Sequence, residues 1–209
     1  MPERLRIYII GVGGQGTLTV ARLLGETALR RGLEAVVSEV HGMAQRGGIV
    51  ETAVLLGGYK GPVLGRGGAE VILAFEPLEA LRAVLAFGKA SPRSWVLTNT
   101  HPIRPITVSL KLGEYPDLER ALAELEGRVA RLIKLDATAL AEEAGSPLSL
   151  NMVMLGALAA TELLPFPAEA LEEGIRAFAP GWAAVNLRAF QLGREAVARA
   201  LAETRTTAG

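Results

Sequence analysis

The chain of 209 residues contains no cysteine. This excludes disulfides, a thiol nucleophile, and cysteine ligation of zinc or of an iron–sulfur cluster by this chain. Histidine is nearly as scarce, with only His41 and His101. They lie far apart and show no metal-ligand spacing, so no metal site and no catalytic set complete on this chain alone are expected. An excess of either charge is lacking too, since 22 basic residues balance 22 acidic ones. That leaves no electrostatic footprint for nucleic acid or for a polybasic membrane contact. No apolar run approaches the roughly 18 residues of a membrane span, and no secretory pattern precedes Leu5, so a cytoplasmic protein is expected. What is present is a half-hydrophobic chain, long enough for one α/β domain with a sizeable core.

Leu5-Arg6-Ile7-Tyr8-Ile9-Ile10 is a short apolar, β-branched run. Gly11-Val12-Gly13-Gly14-Gln15-Gly16 follows, and then a segment with Val20, Leu23, Leu24 and Ala28 at helical spacing. The order is strand, glycine turn, helix. Gly11, Gly13 and Gly16 match the G-x-G-x-x-G spacing of dinucleotide-binding turns. Bare backbone N–H groups at a helix start carry the positive end of its dipole, and missing side chains let a phosphate approach. Gly11, Gly13, Gly14, Gln15 and Gly16 are therefore the candidate cofactor-binding residues. The competing reading is a close strand–helix contact that needs glycine and binds nothing. Glu39 is the candidate for the acid that usually follows on the second strand.

Residues 38–48 read Ser-Glu-Val-His-Gly-Met-Ala-Gln-Arg-Gly-Gly. Three glycines weaken any regular element, while Glu39, His41, Gln45 and Arg46 need water or partners. The string follows an apolar run, 35–37, and reads as a functional loop at a strand end. A merely connecting polar turn is the alternative. Arg46 is the strongest single candidate because its fixed fork of donors clamps a carboxylate or phosphate.

Elements alternate along the chain. Strands are expected at 5–10, 33–40, 49–56, 69–75, 94–98 and 129–135. Helices are expected at 16–31, from 76–77 onward, at 117–125 and at 137–144. Three more close the chain, at about 148–162, 167–178 and 182–203. Residues 103–116 read as an excursion with one short strand. The fold class expected is a single Rossmann-like α/β domain over 1–209, a mostly parallel sheet with helices on both faces and a C-terminal helical segment. Residues 150–164 are apolar nearly all round and too short to span a bilayer. That suits a central core helix, or one whose second face meets a partner, with Asn151 as the polar exception at its start.

Taken together, the glycine turn, the Glu-Val-His-Gly-Met-Ala-Gln-Arg-Gly-Gly string, Glu76-Pro77-Leu78-Glu79-Ala80-Leu81, Asn151-Met152-Val153-Met154-Leu155-Gly156-Ala157 and Asn186-Leu187-Arg188-Ala189-Phe190 resemble one family. It is the gamma domain family of 2-oxoacid:ferredoxin oxidoreductases, and within it the beta subunit of the indolepyruvate enzymes. The resemblance runs from about residue 5 to 193. It implies the small subunit of an enzyme that oxidatively decarboxylates aryl pyruvates to acyl-CoA and reduces ferredoxin. It also implies that thiamine diphosphate, Mg2+ and the [4Fe–4S] clusters belong to a large alpha subunit, that coenzyme A is a co-substrate, and that the complex is a heterotetramer. Glu39, His41, Gln45 and Arg46 would then form a loop facing the partner's active site. Three other readings stay open. They are a related pyruvate or 2-oxoglutarate gamma subunit, a nucleotide-binding regulatory module, and a stand-alone NAD-dependent oxidoreductase.

Overall fold

The computed structural model describes residues 3–41, 48–103 and 115–207, with side chains at all of these except 40, 41 and 204–207. Six strands form one sheet among them: β1 (Leu5–Val12), β2 (Ala35–His41), β3 (Ile49–Leu56), β4 (Val71–Ala74), β5 (Trp95–Asn99) and β6 (Arg131–Leu135). Their spatial order is β2-β3-β1-β4-β5-β6. The β1–β4, β4–β5 and β5–β6 pairings are parallel, whereas β3 runs antiparallel to both β1 and β2. The sheet is therefore mostly parallel, with one reversed strand inserted beside β1.

Alternation along β1 explains how the sheet is covered. Ile7 and Ile9 face one core and Tyr8 and Ile10 the other, as the two-residue period of a strand requires. Onto the first face pack α1 (Thr17–Arg30), α4 (Ala137–Ala144), α5 (Leu150–Ala159), α6 (Ala168–Phe178) and α7 (Ala183–Thr207). Onto the second pack α2 (Pro77–Leu81) and α3 (Leu118–Glu126). Beyond α2 the backbone widens over Arg82–Ala86, where Phe87 N–H donates to the Arg82 carbonyl at 2.8 Å.

The helical periodicity of α1 is confirmed, for Val20, Leu23, Leu24 and Ala28 are all buried. The apolar segment near 150 is a core helix, and Asn151 to Leu158 are all buried. Ser38 to His41 belong to β2 and pair with β3, which agrees with the strand expected at 33–40 and sets the start of the expected 38–48 loop beyond His41. The expected excursion over 103–116 falls largely on 104–114, outside the described residues. No helix among the described residues is long and apolar enough to cross a membrane.

Candidate functional site

The carboxyl ends of β1, β4 and β5 lie side by side, where open α/β sheets hold their ligands. Between β1 and α1 the chain makes its glycine turn. Gly14 and Gly16 have φ of 103° and 79°, the left-handed region that a Cβ disfavours. Gly16 is also crowded, since a Cβ there would sit 2.5 Å from Asn151 Nδ2. Helix α1 starts at Thr17 behind Gly16, which has no side chain with which to cap it.

Gln15 braces this turn from inside. Its Oε1 accepts from Val12 N–H at 2.7 Å, and its Nε2 donates to the Phe75 carbonyl at 3.0 Å. Asn99 at the end of β5 reaches the same carbonyl at 3.2 Å and accepts from Ala137 N–H at 3.0 Å. One polar chain thus locks the turn to β4, β5 and the start of α4. Gln15 is grouped with the glycines as expected, but its carboxamide is committed to the backbone.

The two sequence signals meet. Gly13 N–H donates to the Gly48 carbonyl at 2.9 Å, which brings the end of the 38–48 string against the glycine turn. Glu39 is exposed on β2, opposite Thr52, and His41 closes β2 opposite Val50. Gln45 and Arg46 lie outside the described residues. Because β3 separates β2 from β1, Glu39 is one strand farther from the glycine turn than the ribose-binding acid of a dinucleotide fold would be. That geometry weighs against the NAD reading.

On the other face of the sheet lies a buried acid cluster that no sequence pattern announces. Glu76 caps α2 and accepts from Glu79 N–H and Ile103 N–H, each at 3.1 Å, and from the Tyr115 hydroxyl. Tyr8 donates its hydroxyl to Glu51, and Arg82 pairs with Glu79. Only the Glu76-Pro77 helix start was legible beforehand. Tyr8 looked like any strand aromatic, and Glu51 like any outward polar residue.

Burial pushes the Glu79 carboxyl up from 4.5 to about 7; Arg82 opposes the shift and Glu76 and Glu51 add to it. Its Oε2 is buried without a hydrogen-bond partner among the described residues. Burial and the adjoining carboxylates also raise the phenols of Tyr8 and Tyr115. For a carboxyl with a raised folded-state pKa, the folded chain binds more protons than the unfolded one between the two values. Stability from this group is therefore complete below about pH 4.5 and declines as pH rises through 7. Glu79→Gln, which is neutral throughout, is expected to flatten that decline and to stabilise the chain at pH 8 by up to about 3 kcal/mol. Urea denaturation of both proteins between pH 5 and 8.5 checks this. Parallel stability curves would show that Glu79 is charged throughout.

A reversed strand beside β1, a glycine turn and C-terminal helices on one face define a Rossmann-like α/β domain. The family model described as pyruvate ferredoxin/flavodoxin oxidoreductase matches residues 6–196, and the chain belongs to that family. The indolepyruvate oxidoreductase subunit IorB of Methanothermobacter thermautotrophicus is 43% identical over 92% of this chain and 97% of its own length. Its counterpart in Pyrococcus horikoshii is 43% identical over 93% and 96%. The 2-oxoglutarate synthase subunit KorC of M. thermautotrophicus is 31% identical over 93% and 95%. Among solved structures, the gamma subunit of a keto/oxoacid ferredoxin oxidoreductase from Geobacter sulfurreducens has a TM-score of 0.66 at 22% identity, covering 92% of this chain and 98% of that one. The 2-oxoglutarate:ferredoxin oxidoreductase of Magnetococcus marinus has a TM-score of 0.71 at 22% identity, covering 96% of this chain but 32% of that one. The family and fold expected from the residues are thus borne out.

Proposed function

We propose that this chain is the small subunit of an indolepyruvate:ferredoxin oxidoreductase, acting in the cytoplasm as part of a heterotetramer with a large alpha subunit. The higher identity to IorB proteins than to KorC, over nearly the full length of both, supports indolepyruvate and other aryl pyruvates over 2-oxoglutarate. Thiamine diphosphate with Mg2+ would supply the decarboxylation chemistry, and [4Fe–4S] clusters would pass electrons to ferredoxin. With no cysteine on this chain, the clusters must be ligated by the partner.

The observation that carries a role at the reaction site is the Gly13–Gly48 contact. It sets the 38–48 string against an uncapped helix start. In this reading Gly11, Gly13, Gly14 and Gly16 shape a seat for the anionic part of coenzyme A, and Gln15 holds the turn in form. Glu39, His41, Gln45 and Arg46 face the large subunit beside its active site. The residues fit such a group, because among the described residues nothing lies within 4 Å of where a Gly14 Cβ would stand and α1 turns its N-terminal dipole end toward the turn.

Gly14→Ala places a methyl group in that open space, at a backbone strain of about 1 kcal/mol. Coenzyme A binding to the assembled enzyme is expected to weaken at least about tenfold while the subunits stay together. Calorimetry and gel filtration on the same sample measure both. An unchanged dissociation constant in the intact complex would leave the turn a purely structural device.

A further inference from the structure

The segment Glu76-Pro77-Leu78-Glu79-Ala80-Leu81 leaves the carboxyl end of β4 and buries two acids at once, Glu76 at 1% and Glu79 at 2% exposure. We propose that these acids, together with Glu51, form a proton-operated latch. A proton on Glu79 holds α2 closed against β1 and β3, and its loss loosens the end of the sheet that carries the glycine turn.

The first argument is the unmet oxygen of Glu79. A glutamate at this place in a helix start ordinarily reaches back to the backbone N–H of the capping residue. Here its Oε1 accepts from Arg82 instead, and its Oε2 is buried with no hydrogen-bond partner among the described residues. A buried carboxylate oxygen left unpaired is unfavourable. A proton removes the charge and adds a donor where there were only acceptors.

The second argument is the balance of charge around it. Helix α2 and the turn beyond it bring Glu76, Glu79 and Arg82. Strand β3 brings Glu51, which accepts from Tyr8 of β1, and Tyr115 ahead of α3 donates to Glu76. Lys89 lies over the Tyr8 ring at 5.5 Å and donates to the Leu64 carbonyl at 3.0 Å. Strands β4 and β5 carry no ionisable side chain, and the charged residues of α3 are exposed. Among the described residues, Arg82 is the one cation that pairs with these three carboxylates. Glu76 accepts two backbone N–H groups and a phenol, and Glu51 accepts a phenol, so both are satisfied as anions. Glu79 is the least satisfied of the three and is the one to hold the proton. Its carboxyl, pushed up to about 7 chiefly by burial, agrees.

The third argument is what the acids are tied to. Glu76 holds Ile103 N–H at 3.1 Å and follows Phe75, whose carbonyl accepts from Gln15 Nε2 at 3.0 Å. Glu51 lies opposite Ile10 on the strand that Gly48 leads into, and the Gly48 carbonyl accepts from Gly13 N–H at 2.9 Å. A negative charge on Glu79 repels both Glu76 and Glu51. Each of these is linked to the glycine turn, one through Gln15 and the other through Gly48, so the repulsion acts on the turn from two sides.

Hydrogen exchange on the assembled enzyme measures the latch, read on peptides spanning the glycine turn and the start of β3 and corrected for the intrinsic effect of pH. With a midpoint near 7, the protonated fraction of Glu79 falls about tenfold between about pH 6 and 8, and protection of the turn is expected to fall with it. Glu79→Gln is neutral throughout and should keep its protection across that range. Its infrared spectrum should also lack a carboxylic-acid C=O band that the parent shows at about pH 6. Arg82→Met removes the opposing cation and should move the loss of protection to higher pH. Glu51→Gln removes a neighbouring anion and should move it to lower pH. Equal protection of the parent across the range, or the same decline in parent and Glu79→Gln, overturns the proposal. So do shifts of the same sign in Arg82→Met and Glu51→Gln, a comparison that serves even if Glu79→Gln fails to fold. Coenzyme A affinity, taken as the ratio of parent to Glu79→Gln, should fall with the same midpoint, a consequence that rests on the proposed role of the turn. Unchanged affinity alongside lost protection would count against that role while upholding the latch.

Discussion

Gly156→Ala is expected to destabilise the chain by about 3 kcal/mol or more, lowering its melting temperature by about 6–12 °C. Helices α5 and α7 cross with backbone against backbone. A Cβ at Gly156 would lie 1.9 Å from the Phe190 carbonyl oxygen, and one at Gly193 would lie 2.0 Å from that of Val153. Neither neighbour is a side chain that can rotate away. The helices must separate, and Phe190, Val153 and Ala157, all fully buried, lose contacts together. Gly193→Ala should cost a similar amount. Gly61→Ala is the control, because nothing lies within 4 Å of the added carbon. Thermal and urea denaturation of the three variants decide the matter. A change at Gly156 no larger than that at Gly61 would mean that the crossing accommodates a methyl group.

Helix α5 carries Asn151 and α7 carries Asn186, and both line a hollow beside α1.

Much of the fold was legible because the relevant signals are local. Apolar alternation marked β1, helical spacing marked α1, and Glu76-Pro77 marked the start of α2. The reversed direction of β3 was not legible, since strand direction in a sheet depends on pairing partners that are not adjacent in sequence. That one strand pairs with Ser38–His41 as the edge strand β2 and places Glu39 one strand away from β1 and the glycine turn. Gln15 was legible as part of the turn but not as its brace, because the Phe75 carbonyl it meets lies 60 positions away. The acid cluster was hidden for the same reason. Tyr8, Glu51, Glu76, Glu79 and Tyr115 come together only across β1, β3 and α2. Asn151 stood out in the sequence as the polar exception at the start of an apolar segment and Asn186 only through resemblance; their convergence on one hollow is a property of the fold.

The second large effect concerns activity. This chain has no cysteine to ligate a cluster, and its glycine turn and 38–48 string meet at one end of the sheet. In the proposed reading such a subunit completes a site instead of housing one. Each subunit alone is expected to be inactive, and mixing them should restore turnover, a change of several orders of magnitude. Partial exposure of Trp182, Leu148 and Val63 is consistent with surface that a partner or ligand covers. Aryl-pyruvate-dependent reduction of ferredoxin in the presence of coenzyme A, followed for this chain, for the large subunit and for the two mixed, tests the account most directly. Reduction is expected only in the mixture, saturating at equal subunit amounts and faster with indolepyruvate than with 2-oxoglutarate. Reduction by this chain alone, or full activity of the large subunit with no gain on adding this chain, would contradict it.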